Sequence, residues 1–252
     1  MSSKDKLRKF RENETFACLF QPKTEEVLGK PYSLRGKWGK EIFGNDNPIT
    51  LELGCGKGEY TIALAQKFPQ RNFIGIDIKG ARLWKGAKFA TENKMENVLF
   101  IRTRIEFITS LFAEGEISEI WITFPDPQLK RPRKRLTGTM FLERYRQFLA
   151  PDGIINLKTD SKYLHNYTLA LAQQNGLEIL EANNDIYGSG RADEILSIKT
   201  FYEAHYIKRG LEITYLAFRP ENGKQLIEPQ WDEEYWEIEE AKGRENTPAN
   251  KG

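Results

Sequence analysis

Short apolar runs rich in β-branched residues recur along the chain and predict the strands of a sheet. Each run is only a few residues long and ends near glycine, proline or a polar residue, which is typical of a buried strand. Seven such runs lie at residues 49–53, 72–77, 98–102, 119–124, 153–158, 177–182 and 211–218.

Amphipathic stretches separate these runs and predict helices. In one of them Leu83, Ala87 and Ala90 recur at the three- and four-residue spacing that places side chains on one helical face. The predicted helices span residues 59–68, 81–93, 106–112, 139–149, 163–174 and 201–208.

Strands that alternate with helices predict an α/β fold, with a mainly parallel seven-stranded sheet and helices on both faces. Sheets of this kind bind ligands beyond the carboxyl ends of their strands. Candidate functional residues are therefore expected just after strands.

Composition narrows the class of protein. Hydrophobic residues make up 39% of the 252 residues and charged residues 29%, which is typical of a soluble globular protein. No apolar run is long enough for a membrane helix, and the first residues contain no apolar segment typical of a secretory signal. Two cysteines and two histidines without metal-ligand spacing predict neither a disulfide framework nor a metal site. A cytoplasmic protein without membrane association is expected.

The charge is distributed unevenly. Residues 221–252 contain four basic and nine acidic residues, a net charge of −5, which leaves +7 for residues 1–220. A basic body favours a polyanionic partner. We expect a basic N-terminal arm and lead-in over 1–47, a catalytic domain over 48–220 and an acidic C-terminal tail over 221–252. Trp231, Tyr235 and Trp236 have helical spacing and are expected to dock this tail onto the body.

The first predicted strand leads into a glycine-rich turn. Gly54, Gly56 and Gly58 form a G-x-G-x-G pattern, which suits a tight turn with close approach of the backbone to a ligand. Asp77 ends the next strand and could accept hydrogen bonds from ribose hydroxyls. An ordinary glycine turn between a strand and a helix is the alternative interpretation.

The type of cofactor follows from the residue after the glycines. A dinucleotide fingerprint would need glycine where Glu59 stands, and a carboxylate there would repel a phosphate at the helix N-terminus. This disfavours a nicotinamide oxidoreductase and favours a cofactor that has a ribose but no phosphate. S-adenosylmethionine is the cofactor we predict.

A second candidate site follows the fourth strand. Asp126 lies between Pro125 and Pro127, which restrict the backbone and fix the direction of the carboxylate. Five basic residues come directly after it, within positions 130–135. Such a cluster beside a cofactor site suits a nucleic-acid phosphate backbone, whereas the alternative is a solvated surface loop.

Together these segments resemble the bacterial tRNA (guanine-N7-)-methyltransferases of the TrmB type. The resemblance covers about residues 10–219. The turn after the fourth strand and the segment 200–203 are specific to that family, whereas the glycine pattern is shared by most methyltransferases of the fold. The matching segments are residues 36–38, 43–46, 51–60, 73–79, 124–127, 158–160 and 200–203.

The resemblance implies a Rossmann-like class I methyltransferase that uses S-adenosylmethionine to methylate N7 of a tRNA guanosine, in the variable loop. Asp126 would be the catalytic residue. The implied cofactor-binding residues are Glu52, Gly54, Gly56, Asp77 and Arg104. The substrate-binding residues implied by the resemblance are Lys130, Asp160, Thr200, Phe201, Tyr202 and Glu203. The basic cluster after Asp126 adds Arg131, Arg133, Lys134 and Arg135 as expected substrate-binding residues. The expected partner is tRNA, and the expected oligomeric state is a monomer or a homodimer.

The sequence departs from the family pattern at three places. Gln128 stands where the family usually has tryptophan, and the basic loop is about two residues shorter. Arg104 replaces an acidic or amide residue that meets the adenine. Because a guanidinium only donates hydrogen bonds, its main chain would have to make that contact.

The expected methyl transfer depends on the orientation of guanine N7 toward the methyl group more than on acid–base catalysis. Guanine N7 carries a lone pair and no proton at neutral pH, so no strong general base is required. A fixed carboxylate at Asp126 could hold the base and stabilise its developing positive charge. Alternatives are a methyltransferase of this fold acting on another RNA, a protein or an amine, and an RNA-binding protein without catalysis.

Overall fold

A computed structural model describes residues 3–245, without the side chains of residues 3, 202 and 243–245. The strands are β1 (Leu19–Phe20), β2 (Ile49–Leu53), β3 (Asn72–Asp77), β4 (Val98–Arg102), β5 (Ile117–Thr123), β6 (Leu149–Thr159), β7 (Glu178–Asn183) and β8 (Thr214–Arg219). The helices are α1 (Ser3–Asn13), α2 (Thr24–Val27), α3 (Glu59–Lys67), α4 (Gly80–Glu92), α5 (Ile108–Leu111), α6 (Thr139–Tyr145), α7 (Lys162–Gln174), α8 (Phe201–Lys208) and α9 (Glu233–Glu245).

The chain forms two compact units. The first comprises the chain up to Trp121 together with Gln147–Pro151, and the second comprises Ile122–Arg146 and the chain from Asp152 onward. Strand β5 therefore ends in the second unit.

The first unit contains a parallel sheet in the strand order β1-β4-β3-β2-β5. Parallel pairing joins β1 to β4, β4 to β3 and β3 to β2. Strand β3 is buried along its whole length, as expected for a parallel strand that is covered on both faces. Because the strands are parallel, the carboxyl ends of β2, β3 and β4 lie at the same edge of the sheet.

The second unit contains β6 from Asp152 onward, β8 and β7, in that order and with antiparallel pairing. Helix α7 begins at the Ser161 hydroxyl, which accepts a hydrogen bond from the Leu164 amide at 3.1 Å. Residues 220–245 pack on this unit, because the Trp231 ring meets the rings of Tyr163 and Tyr167 edge-on, with centroids 5.6 Å apart in both cases. Of the three aromatic residues predicted to dock the tail, Trp231 packs on α7 and Trp236 stacks on Trp231 with centroids 5.0 Å apart, whereas Tyr235 is exposed.

The predicted α/β fold is confirmed, and each of the seven predicted strands is present. The two-residue strand β1 adds an eighth, and it carries too little pattern to be predicted. The helix predicted over 139–149 was wrong at its end, because Leu149 already belongs to β6. A buried apolar stretch such as Phe148-Leu149 fits a helix or a strand equally well by pattern alone.

The N-terminal residues are part of the first unit. The indole of Trp38 is buried among Phe20, Tyr32 and Phe112, and its Nε1 donates to the Leu111 carbonyl at 2.9 Å. None of the helices within residues 3–245 is long and apolar enough to cross a membrane.

Candidate active site

The turn between β2 and α3 is shaped by glycines with left-handed backbones. The φ angles are 74° at Gly54, 58° at Gly56 and 72° at Gly58, which other residues rarely adopt. A side chain at Gly58 is also excluded by space, because a Cβ would lie 2.5 Å from the Phe100 ring. The Gly54 amide donates to the Ile76 carbonyl at 2.8 Å. The turn is thereby fixed against the end of β3.

Asp77 connects this turn to the next helix. Its buried carboxylate accepts a hydrogen bond from the Gly56 amide at 3.0 Å through Oδ2 and another from the Lys79 amide at 2.7 Å through Oδ1. A carboxylate offers about four acceptor positions. Asp77 can therefore hold the turn and still accept hydrogen bonds from the hydroxyls of a ligand.

Glu52 has a structural partner within the same unit. Its carboxylate is buried and accepts hydrogen bonds from the Thr61 amide, at 2.9 Å, and from the Thr61 hydroxyl. Thr61 lies in the first turn of α3, where a negative charge is favourable. Glu52 thus holds the helix that follows the glycine turn.

The thiol of Cys55, within the turn, is buried. Burial raises its pKa well above the usual range, and the negative charges of Glu52 and Asp77 raise it further. The thiol is therefore neutral at physiological pH and serves as a packing group.

A cavity of about 390 Å³ opens where β3 and β4 end, and this volume is in the range of small-ligand pockets. It is lined by Gln21, Pro22, Lys23, Thr24, Val27, Ile78, Arg102, Thr103, Arg104 and Phe107. Ile78 directly follows Asp77 and leaves 53% of its surface exposed. The Arg104 guanidinium is exposed and lies 3.5 Å from the Glu106 carboxylate. Arg104 lines this cavity, and its backbone is extended.

In the second unit, a turn with two unusual backbone angles presents Asp126. Phe124 and Gln128 have φ angles of 48° and 54°, which are uncommon for residues with side chains. The Gln128 amide donates to Asp126 Oδ1 at 2.9 Å, and Asp126 itself is exposed. This hydrogen bond and the flanking prolines fix the direction of the carboxylate.

The basic loop that follows divides into four exposed cations and one buried cation. Successive main-chain hydrogen bonds run from the Arg131 amide to Gln128, from Lys134 to Arg131 and from Arg135 to Pro132, at 2.8–3.0 Å. The exposed side chains are Lys130, Arg131, Arg133 and Lys134. A compact series of turns therefore carries four positive charges on its surface.

Arg135 is the exception, because its side chain is completely buried. Its guanidinium makes two hydrogen bonds of 2.9 Å to the Glu233 carboxylate and a third to the Tyr163 hydroxyl. Burial alone would lower the pKa of Arg135, and the bond to Glu233 raises it instead. In this geometry Arg135 faces the protein interior, where a phosphate could not reach it.

Glu203 also lies in the interior. It forms a fully buried ion pair with Lys158, with a shortest distance of 2.7 Å, and it accepts a hydrogen bond from the Tyr187 hydroxyl at 2.7 Å. The Lys158 ammonium also donates to the carbonyls of Leu196 and Ile198. Burial lowers the pKa of Lys158, and Glu203 opposes that decrease. The pair connects β6 to α8 and to the segment before it.

The other predicted substrate residues are neighbours of Lys158 or Glu203 in the sequence. Asp160 is half-buried directly after β6, and the next residue, Ser161, caps the N-terminus of α7. Thr200 caps α8 by accepting from the Glu203 amide at 3.1 Å, and Phe201 is 60% exposed. Tyr202 lies in α8, but its side chain is outside the described part of the structure.

Comparison with known proteins identifies the family. A family profile described as "Putative methyltransferase" matches residues 46–216. The tRNA (guanine-N(7)-)-methyltransferase of Christiangramia forsetii is 55% identical over 222 residues, which cover 87% of this chain and 99% of that protein. The chain belongs to the bacterial tRNA (guanine-N7-)-methyltransferase family. The relative in Bacteroides fragilis is 50% identical over 90% of both chains.

Solved structures place this family member among known methyltransferase folds. The 16S rRNA methyltransferase KamB matches with a TM-score of 0.56 at 14% identity, over 75% of this chain and 92% of that chain. A variant of the 16S rRNA (adenine(1408)-N(1))-methyltransferase from Catenulisporales acidiphilia, solved with its cosubstrate SAM, matches with a TM-score of 0.53. It is 14% identical and covers 78% of this chain and 93% of that chain. The fold is that of a class I methyltransferase, as predicted.

Sequence reasoning did not find the walls of the cavity beside Asp77. The sequence could have indicated Ile78 as a cavity-lining residue, because it is an apolar residue directly after a strand that ends in an acid. Nothing in the sequence of residues 21–27 indicates that they line the cavity, since only the tertiary structure places them beside Thr103 and Arg104.

Proposed function

We propose that this methyltransferase transfers the methyl group of S-adenosylmethionine to N7 of a guanosine in tRNA, in the variable loop. The observation that carries the proposal is the identity of 50–55% to tRNA (guanine-N(7)-)-methyltransferases over 87–90% of the chain. The turn at Asp126 and its exposed basic loop supply the chemistry that this substrate requires.

The residues of the first unit fit S-adenosylmethionine. The glycines leave main-chain atoms accessible at the turn, since no neighbouring atom lies within 4 Å of a Cβ built at Gly54. Asp77 would accept the ribose hydroxyls, and the cavity beside Ile78 would hold the adenine, with Arg104 contributing its main chain. Glu52 would act mainly through α3. When bound, this cofactor supplies an electrophilic methyl group on a sulfonium.

Asp126 would hold and stabilise the target base. Its Oδ1 already accepts the bond from the Gln128 amide, and the carboxylate retains further acceptor positions for the guanine N1–H and N2 amine. As N7 gains a methyl group the purine becomes positively charged, and a carboxylate fixed in advance stabilises that charge. No proton leaves N7, so a general base is not needed.

The tRNA backbone would bind the exposed cations Lys130, Arg131, Arg133 and Lys134, because phosphate contacts dominate nucleic-acid affinity. Asp160, Thr200, Phe201 and Tyr202 would contact the guanosine. Glu203 would position these residues through Lys158, and Arg135 would act through the loop that contains it.

Mass spectrometry of nucleosides tests the proposal. Purified protein, S-adenosylmethionine and unmodified tRNA should give 7-methylguanosine, and a tRNA with adenosine in place of the variable-loop guanosine should not. Ribosomal RNA serves as the competing substrate. Methylation of ribosomal RNA but not tRNA would assign the protein to another RNA, and methylation of both tRNA variants would place the target elsewhere in tRNA.

A further inference from the structure

The acidic C-terminal segment is bound to the second unit through its carboxylates. Glu228 accepts hydrogen bonds from the Tyr167 hydroxyl, at 2.6 Å, and from the Thr139 hydroxyl. Glu240 is buried and accepts from the Tyr163 amide, at 3.1 Å, in the first turn of α7. Both acids therefore bond to other parts of the unit, Glu240 in the interior and Glu228 at the surface.

The contact at Glu233 reaches the basic loop itself. Both of its carboxylate oxygens bond to the Arg135 guanidinium, and the Tyr163 hydroxyl donates to the same carboxylate. Paired hydrogen bonds of this kind fix the orientation of a guanidinium as well as its position. The Arg135 guanidinium also lies 4.5 Å from the centroid of the Tyr167 ring. It is thus held from several directions.

Arg135 in turn closes the loop. Its Nη2 lies 3.5 Å from the Leu129 carbonyl, so the guanidinium spans the residues that carry the four exposed cations. Its amide donates to the Pro132 carbonyl at 3.0 Å, and its carbonyl accepts from the Gly138 amide at 3.0 Å. The loop has no apolar core of its own, since Leu129 is only half-buried and the cations face solvent. Arg135 is thus the buried side chain that attaches the loop to the rest of the unit.

We propose that the acidic C-terminal segment is a positioning element for the tRNA-binding loop, with Glu233 holding Arg135 so that Lys130, Arg131, Arg133 and Lys134 keep one arrangement. The inference rests on the proposed function only in naming tRNA as the ligand. A loop ordered before binding avoids the entropy cost of ordering it on the RNA, so affinity rises without a new contact. An acidic segment thereby strengthens the binding of a polyanion.

The test compares Glu233→Gln with Glu234→Gln in the full-length protein. Both changes remove one negative charge, but Glu234 is exposed and Glu233 contacts Arg135. We expect Glu233→Gln to weaken tRNA binding about three- to tenfold. The dissociation constant for S-adenosylmethionine and kcat at saturating tRNA should stay within twofold. Glu234→Gln should leave tRNA binding unchanged or slightly tighter.

A second readout needs no RNA. Trypsin should cleave after Lys130, Arg133 and Lys134 several times faster in Glu233→Gln than in the wild type or in Glu234→Gln. Equal cleavage rates in the three proteins would overturn the inference whether or not tRNA binds. Faster cleavage in Glu233→Gln together with no tRNA binding by any of the proteins would support the positioning and reject the proposed ligand.

Two further variants keep the result interpretable if Glu233→Gln folds poorly. Arg135→Met leaves Glu233, which is 42% exposed, in contact with water, and Tyr163→Phe removes one shared hydroxyl. Both variants should weaken tRNA binding, as Glu233→Gln does. In the double variant, Arg135→Met should cause no further loss of tRNA affinity beyond that of Glu233→Gln. If Glu233→Gln instead tightens tRNA binding, the segment competes with RNA and the inference is wrong.

Discussion

Asp126 is the residue on which the proposed chemistry depends most. Its direction is fixed by two prolines and by the bond from the Gln128 amide. Asp126→Ala should therefore lower the rate of methylation about 10²–10³-fold, the usual cost of one preorganised electrostatic partner. Asp126→Asn should recover part of the rate, because the amide oxygen still accepts a hydrogen bond. The affinity for S-adenosylmethionine should change little.

Single-turnover methylation of tRNA measures this effect, and its pH profile separates two roles. Because N7 has no proton to remove, the wild-type rate should be flat from about pH 6.5 to 8.5. A rate that rises steadily with pH, and loses that rise in Asp126→Asn, would establish base catalysis instead.

Asp77 is expected to contribute to cofactor binding in two ways. Its carboxylate would bond the ribose hydroxyls, and it already holds the Gly56 and Lys79 amides. Asp77→Ala should weaken S-adenosylmethionine binding at least tenfold in calorimetry, since a hydrogen bond to a charged group contributes about 1.5–3 kcal/mol. Glu114→Ala, which removes an exposed carboxylate that does not line this cavity, is the control. Unchanged affinity in Asp77→Ala would remove the ribose role.

At the scale of elements, the basic loop acts through its four exposed charges. Reversing Arg131 and Lys134 together should weaken tRNA binding. It should also reduce the slope of log K against log salt by about one for each phosphate that the loop no longer binds. Lys94→Glu, an exposed site before the amino end of β4, should leave the slope unchanged. A lower turnover with an unaltered slope would point to a catalytic or structural role for the loop.

The Lys158–Glu203 pair is the second element-scale feature, because it joins β6 to α8 in the protein interior. Glu203→Gln leaves a buried ammonium without its counterion and should lower the free energy of unfolding by about 3–5 kcal/mol. Replacing both residues with methionine should restore most of that stability. Urea denaturation of the two variants measures the difference. If the double variant is no more stable than Glu203→Gln, burial of the unpaired charge is not the cause.

At the scale of the whole molecule, His165 makes stability depend on pH. Its ring is buried in α7, neither ring nitrogen has a hydrogen-bond partner among the described residues, and burial lowers its pKa to about 4. The unfolded chain takes up a proton below about pH 6.5, whereas the folded protein does so only near pH 4. The contribution is therefore complete above pH 6.5 and is lost as the pH falls toward 4.

The expected loss is about 3 kcal/mol over that interval. Unfolding free energies at pH 7.5, 6.5 and 5.5 should already show about 1.4 kcal/mol of this loss in the wild type and in His205→Leu, whose histidine is exposed. His165→Leu should show a smaller decrease. Parallel curves for His165→Leu and the wild type would mean that other groups cause the acid sensitivity.

The sequence by itself determined the fold class and most of the candidate chemistry. Strand β4 and the middle of β3 carry continuous apolar runs, and local pattern decides such elements because burial on both faces leaves few alternatives. The glycine turn and Asp126 were equally readable, since backbone conformation there depends on adjacent glycines and prolines. Element ends such as Tyr145 were harder to place, because a helix and a buried strand share the same apolar residues.

Only the tertiary structure decided which charged residues face solvent. Five cations in one loop look alike in sequence, yet Arg135 is buried against Glu233, which lies far along the chain. Glu203 was predicted as a substrate residue and is completely buried beside Lys158. The physical reason is the same in both cases. The cost of burying a charge is offset only by a partner at close range, and long-range packing, which local pattern does not encode, brings that partner into place.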